Sequence, residues 1–304
     1  MYSRPILLYI KNKAREKNIR IPKFLIVLFI HVFSAIGVFV INNIKYQTLL
    51  YHLGINILSM LSITGGYHRL WSHQSYCARF PLQLFYIIFG TTASQNSAII
   101  WCKEHRTHHR CEESPGDPYN INKGFFHAHV GWIYKYKDIT EEIEYNKSDV
   151  SDLNKNKLLV FQHNYYIYCW TILNIFCNFY ILRLWKESCI NIFFSTIIRI
   201  TCTLNITWCI NSFSHSFGEK NNRKDIHASD HKTIAFFTLG EGWHNYHHSY
   251  PKDYKASRRE DFNMTTTFID VTKRIGLSYN HHEKGKNHID VKNRFNKKYY
   301  NSLH

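Results

Sequence analysis

The chain has 304 residues with a formal charge of +16, and 45% of its residues are hydrophobic against 20% charged. That balance excludes wholesale disorder and leaves material for a sizeable core. Its basic excess admits nucleic acid, an anionic membrane surface or an acidic partner. The absence of zinc-finger spacing, basic-region heptads and a ribonucleoprotein aromatic motif makes nucleic acid the weakest of these.

The slightly negative mean hydropathy hides a few long apolar runs, and a spanning helix needs about 20 such residues. In chain order the predicted spans are Phe24–Asn42, Tyr46–Gly66, Tyr166–Trp185 and Ile190–Asn211. Very short loops, carrying Lys45 and Lys186-Glu187, join them into two helical hairpins. The segment up to Lys23 holds seven Lys/Arg, residues 67–165 hold eleven, and the chain after Asn211 holds sixteen. The positive-inside rule therefore predicts cytosolic termini and a cytosolic middle segment. Arg199 falls inside a span, which predicts that it faces the bundle interior. A further apolar run, Pro81–Trp101, is interrupted by polar residues and is expected to be re-entrant or interfacial. This divides the chain into a basic tail (1–23), a transmembrane bundle (24–211) with a cytosolic insertion (67–165), a cytosolic cap (212–279) and a mobile tail (280–304). Met264–Leu277 is expected to form an amphipathic helix of the cap. The eight cysteines form no C-x-x-C pair and read as reduced thiols.

Three of the histidine groups among the 20 His residues stand out. His68 and His73 follow the second span. His105, His108 and His109, and again His244, His247 and His248, share H-x-x-H-H spacing. On a helix each such trio occupies one face and is expected to aim three imidazoles at one place. The five-residue offset of His68 and His73 turns them apart on an ideal helix, which suits two neighbouring metals better than one. Eight imidazoles exceed a four-ligand zinc site and predict two metals, although imidazole alone does not select the metal. The one Glu-x-x-His spacing, Glu241 to His244, reads as incidental. His281 and His282 read as solvated.

These boxes resemble those of the membrane acyl-CoA desaturases of the stearoyl-CoA (delta-9) type. The resemblance is carried by Gly66-Tyr67-His68-Arg69-Leu70-Trp71-Ser72-His73, by Gly240 through His248 continuing to Pro251 and Tyr254, and by Asp117-Pro118-Tyr119-Asn120 with Gly124-Phe125-Phe126 and His129-Val130-Gly131-Trp132. It runs from about Ile21 to Tyr279. It implies an all-helical membrane fold of four spanning helices under a cytosolic cap with a di-iron (Fe2+) site, in the endoplasmic reticulum membrane. It also implies His215 as a ninth ligand and Asn211 as the residue holding a metal-bound water. The implied reaction uses O2 and two electrons to place a cis double bond in a saturated long-chain acyl-CoA. The implied donor is cytochrome b5 with its reductase, because no His-Pro-Gly-Gly haem motif is present in the sequence. Asn96, Lys103, Glu104, Lys137 and Trp208 match the family's contacts to the coenzyme A head. Where the family usually has an Arg-Asp pair this chain has Lys103-Glu104, and where it has a basic pair this chain has Tyr136-Lys137; lysine keeps the charge but loses the bidentate fork. A histidine-box hydroxylase and a non-catalytic metal store are the competing readings.

Overall fold

The computed structural model describes residues 19–284. It is mostly helical. Helix α1 is Ile21–Val40, started by Pro22 in its first turn, where a missing N–H costs nothing. Helix α2, Tyr46–Leu61, runs without a break into a π-helical segment, Ser62–Ser72. Helices α3 (Phe80–Thr92) and α4 (Ala98–Arg110) follow, the latter capped by Ser97. Beyond a connecting stretch with a π-turn at His127–Gly131 come α5 (Ile139–Lys147) and α6 (Lys157–Asn164). Helix α7, Tyr166–Arg183, is bent by 79° from α6. Helix α8, Cys189–Ser212, has 24 residues. The remainder holds α9 (Lys232–Phe237), α10 (His244–Ser249) and α11 (Met264–Arg274). A two-residue antiparallel ribbon pairs Cys77–Ala78 (β1) with Ser278–Tyr279 (β2).

Among the described residues, three helices are long and apolar enough to cross a membrane: Ile21–Val40, Tyr46–Ser72 and Cys189–His215. The α6–α7 pair qualifies only when both arms are taken together. The run around Pro81–Trp101 forms no span: α3 stops at Thr92 because Ser94 and Asn96 adopt left-handed backbone (φ 63° and 69°), and the chain re-enters a helix at Ala98.

Arg199 lies inside the bundle, 4% exposed, where its guanidinium donates to the Thr92 carbonyl at 2.9 Å and to Asn174 Oδ1. At the far end Glu187 joins the two short loops. It accepts from the Lys45 N–H (3.0 Å) and Thr48 Oγ1 (2.6 Å) at the start of α2, and from the Ser188 N–H (3.0 Å) and Asn191 Nδ2 (2.9 Å) at the start of α8.

Helix α11 is amphipathic as expected: Ile269 is fully buried, while Val271 is exposed. The end of the described chain departs from expectation. Residues 280–284 are held in place, with the His282 N–H on the Ser75 carbonyl (2.8 Å) and the His281 ring stacked on Tyr76 at 5.6 Å. His281 is therefore packed rather than solvated. The basic N-terminal tail as far as residue 18, and the rest of the C-terminal tail from residue 285, lie outside the described residues.

Candidate metal centre

The histidines of the three boxes and His215 converge into two groups. His68, His73, His105, His109 and His247 form one, and His108, His215, His244 and His248 the other, with the ligand atoms of each group within 4.8 Å of one another. The groups adjoin, since the His109 and His248 rings stack at 4.3 Å.

Two expectations about these side chains are corrected. His68 and His73 belong to the same group, not to two. The segment between them is π-helical, and the His73 N–H bonds the His68 carbonyl five residues back at 3.1 Å. An i→i+5 turn carries residues five apart to one side, which an ideal α-helix does not. Each H-x-x-H-H trio, in turn, is split rather than aimed at one place. His105 and His109 go to the first group and His108 to the second; His244 and His248 go to the second and His247 to the first. At 3.6 residues per turn, i and i+4 differ by about 40° while i+3 falls about 100° from i+4 on the other side. Helices α4 and α10 therefore lie between the two groups and serve both.

The residues fit a metal on three grounds. First, facing Nε2 atoms crowd together beyond what hydrogen bonds satisfy, because a ring nitrogen offers one hydrogen or one lone pair, yet the Nε2 atoms of His247 and His244 each face two others. The facing atoms are 3.0 Å apart for His68–His247, 2.8 Å for His73–His105, 3.0 Å for His247–His109, 3.0 Å for His244–His215 and 3.0 Å for His248–His244. Nitrogens about 2.1 Å from a shared ion lie about 3.0 Å apart at right angles and about 3.4 Å apart at the tetrahedral angle. The observed spacing suits more than four ligands. Second, burial and the neighbouring imidazoles push His73, His105, His109, His244, His247 and His248 well below the usual histidine pKa, so these rings are neutral lone-pair donors. Third, carboxylates hold the opposite ring nitrogens. Glu241 lies 2.9 Å from His68 Nδ1, Asp117 2.8 Å from His108 Nδ1 and Glu112 2.6 Å from His248 Nδ1, with Glu113 3.9 Å from His215 Nδ1. A carboxylate on Nδ1–H fixes the tautomer that leaves Nε2 free for a metal.

Glu241 is itself neutralised by Arg69, whose Nη2 lies 2.6 Å from it. Burial would raise its pKa, but Arg69 and His68 outweigh burial and hold it at about 2. The Glu241–His244 spacing forms no pair, because this carboxylate turns to His68 and Arg69. Sequence reasoning did not assign Glu112, Asp117 or Glu241 to these positions. The only signal was the acidic doublet Glu112-Glu113 directly after the second box.

A cavity of about 240 Å³ leads to the groups. Its mouth carries Arg20, Lys23, Asn96, Glu104, Lys135 and Lys137; its inner wall carries Trp101, His105, Thr207, Trp208 and Asn211. A smaller cavity of about 40 Å³ shares Trp101, His105, Thr207 and Asn211 and continues to His68, His108, His244, Met60 and Ile63. Trp101 stacks on His105 at 4.9 Å, and its indole N–H donates to Gln95, whose amide donates to Thr207 at 2.8 Å. Of the residues singled out in the sequence, Asn96, Glu104, Lys137 and Trp208 line the larger cavity and Asn211 lines both. Lys103 does not line it; its ammonium lies over the Tyr145 ring at 4.4 Å.

Residues 46–257 match the family model described as fatty acid desaturase. Over 264 residues the chain is 40% identical to the acyl-CoA desaturase of Ovis aries, and 39% identical to the stearoyl-CoA desaturases of Capra hircus and Homo sapiens. Each alignment covers 84% of this chain and 72% of the relative.

Proposed function

The chain belongs to the fatty acid desaturase family, and on that premise we propose that it is a membrane oxidoreductase that desaturates long-chain acyl-CoA. The observation that carries this is two adjoining groups of closely packed imidazoles at the inner end of an aromatic-walled cavity with a cationic mouth. Breaking an unactivated C–H bond exceeds what side-chain acid–base chemistry supplies, so two iron ions would provide the oxidising power from O2 and two electrons. His68, His73, His105, His109 and His247 would hold one ion. His108, His215, His244 and His248 would hold the other, with Asn211 reaching it through a water.

The chain's own residues do the positioning. Trp101, pinned by Gln95 and Thr207, and Trp208, flanked by His31 and His129, confine the acyl chain and exclude water where the two cavities meet. Lys137, Glu104 and Asn96 at the mouth bind the coenzyme A head, with Lys103 beside them. The double bond is placed at the delta-9 position, and the electron donor is cytochrome b5 with its reductase, drawn by the basic surface. Four spans, α1, α2, α7 and α8, anchor the chain in the endoplasmic reticulum membrane, with the termini, the insertion 67–165 and the cap 212–279 in the cytosol.

The test is metal analysis of the purified protein, joined to product analysis with stearoyl-CoA, O2 and reduced cytochrome b5. Two irons per chain and a monounsaturated cis product are expected. An oxygenated acyl chain would assign a hydroxylase instead, and bound metal with no oxidation of any acyl-CoA would assign a metal store.

A further inference from the structure

Helix α5 opens with a reciprocal cap: the Glu141 N–H donates to Asp138 Oδ1 at 2.9 Å and the Asp138 N–H to Glu141 Oε2 at 3.1 Å. Four residues on, Tyr145 falls on the same helix face as Glu141, which lines the larger cavity. Two ammonium groups converge on its ring. Lys137 Nζ lies 3.3 Å from the ring centre and Lys103 Nζ, from α4, 4.4 Å from it. Glu104 lies 3.6 Å from Lys137. Arg20 and Lys23 line the same mouth. One aromatic ring and one carboxylate thus hold together cations that repel one another. Burial and the nearby Arg20 charge press the Lys137 pKa downward against the pull of Glu104.

This excess of positive charge has a consequence for the ligand. A fatty acid brings one negative charge, which Glu104 already supplies to the cluster. A head group with several phosphates brings enough charge to satisfy all of these cations. Compact lysine ammoniums lack the planar fork with which arginine grips a phosphate. An aromatic ring that fixes two of them provides the missing preorganisation.

We propose that Tyr145 is a positioning residue whose ring holds Lys103 and Lys137 together as a paired contact for the phosphates of coenzyme A. The new element is Tyr145, which ties Lys103, outside the cavity lining, to Lys137 within it; the proposal rests on the acyl-CoA reading above. Its test is calorimetric titration of the purified, full-length protein with free coenzyme A, alongside steady-state kinetics. Tyr145→Leu is expected to weaken coenzyme A binding about tenfold, from the loss of two cation–π contacts. KM for stearoyl-CoA should rise in parallel, with kcat changed less than about twofold. Tyr145→Phe, which keeps the ring, should stay within about threefold of the parent, and stearate binding should be the same in all variants. Tyr145→Met serves as the ringless variant should the leucine variant melt early. Coenzyme A binding unchanged in the ringless variant overturns the proposal, as does an equal loss in Tyr145→Phe. A parent protein that binds no coenzyme A overturns the acyl-CoA reading itself.

Discussion

Glu241 shows how one side chain serves both the fold and the metal centre. One of its carboxylate oxygens lies 2.9 Å from His68 Nδ1 and the other accepts from the Arg69 guanidinium. Arg69 is 1% exposed, and its remaining donors reach the Tyr254 carbonyl, Thr266 and Asn263. Removing one partner of such a buried pair strands the other charge, at a cost of about 3–5 kcal/mol. Glu241→Ala is therefore expected to lower the melting temperature strongly and to lose metal. An unchanged melting curve would refute the role given to the pair. Asp117 differs, because its partner His108 is an imidazole that can shed its proton, not a permanent guanidinium cation. Asp117→Asn should keep the fold but weaken metal retention about 10- to 100-fold. Competition against a chelator measures this, and retention equal to the parent would contradict the tautomer argument. Neither role was legible in the sequence, where Asp117 is nine residues from His108 and Glu241 is 173 from His68.

At the scale of elements, the π-helical end of α2 depends on glycine. A Cβ on Gly66 would sit 2.6 Å from Tyr86 Cγ, and one on Gly90 would sit 2.5 Å from the Tyr67 ring. These two glycines let α3 press against the segment that carries His68 and His73. Gly66→Ala should cost about 1–3 kcal/mol through overpacking and displace His68, read as a lower melting temperature with reduced metal content. At the other end of the bundle, Glu187 fastens hairpin to hairpin. Burial alone would raise its pKa from the ordinary 4.5, but hydrogen bonds from Thr48, Asn191, Lys45 and Ser188 outweigh burial and hold it at about 2. A depressed carboxylate stabilises the fold fully above its unfolded value and loses that contribution as pH falls through the folded one. The stabilisation is thus complete above about pH 5 and lost as pH falls toward 2. Glu187→Gln should melt lower than the parent at pH 6, and the gap should narrow by pH 3. A gap independent of pH would rule out this clasp.

Over the whole molecule, charge and hydrophobicity divide the chain by side. The loops at Lys45 and Lys186 lie at the end of the bundle marked by Glu187, and the histidine groups lie at the opposite ends of α2 and α8. In sealed microsomes, added protease should cut the basic loop around Lys220–Lys224 and spare the loop at Lys186. Cleavage of both without detergent would contradict the proposed topology. A charge of +16 also predicts that docking of an acidic donor weakens with salt, since the Debye length shrinks from about 10 Å at 0.1 M to about 3 Å at 1 M. KM for the proposed donor, cytochrome b5, should rise with ionic strength while KM for a small chemical reductant stays level.

The apolar runs by themselves determined where the long helices lie, because burial in lipid demands about 20 consecutive apolar residues and leaves a contiguous trace. Box spacing likewise marked eight of the nine histidines, since helical periodicity is a local property; His215 came from the family resemblance alone. Tertiary structure alone decided how those histidines are shared out. The π-turn before His73 and the placement of α4 and α10 between the two groups depend on contacts such as Gly66 against Tyr86, which join distant parts of the chain. The same holds for the carboxylates behind the rings and for Tyr145 between two lysines. Hydrogen bonds and cation–π contacts act across space, and sequence order does not encode which partners folding brings within about 3–6 Å of one another.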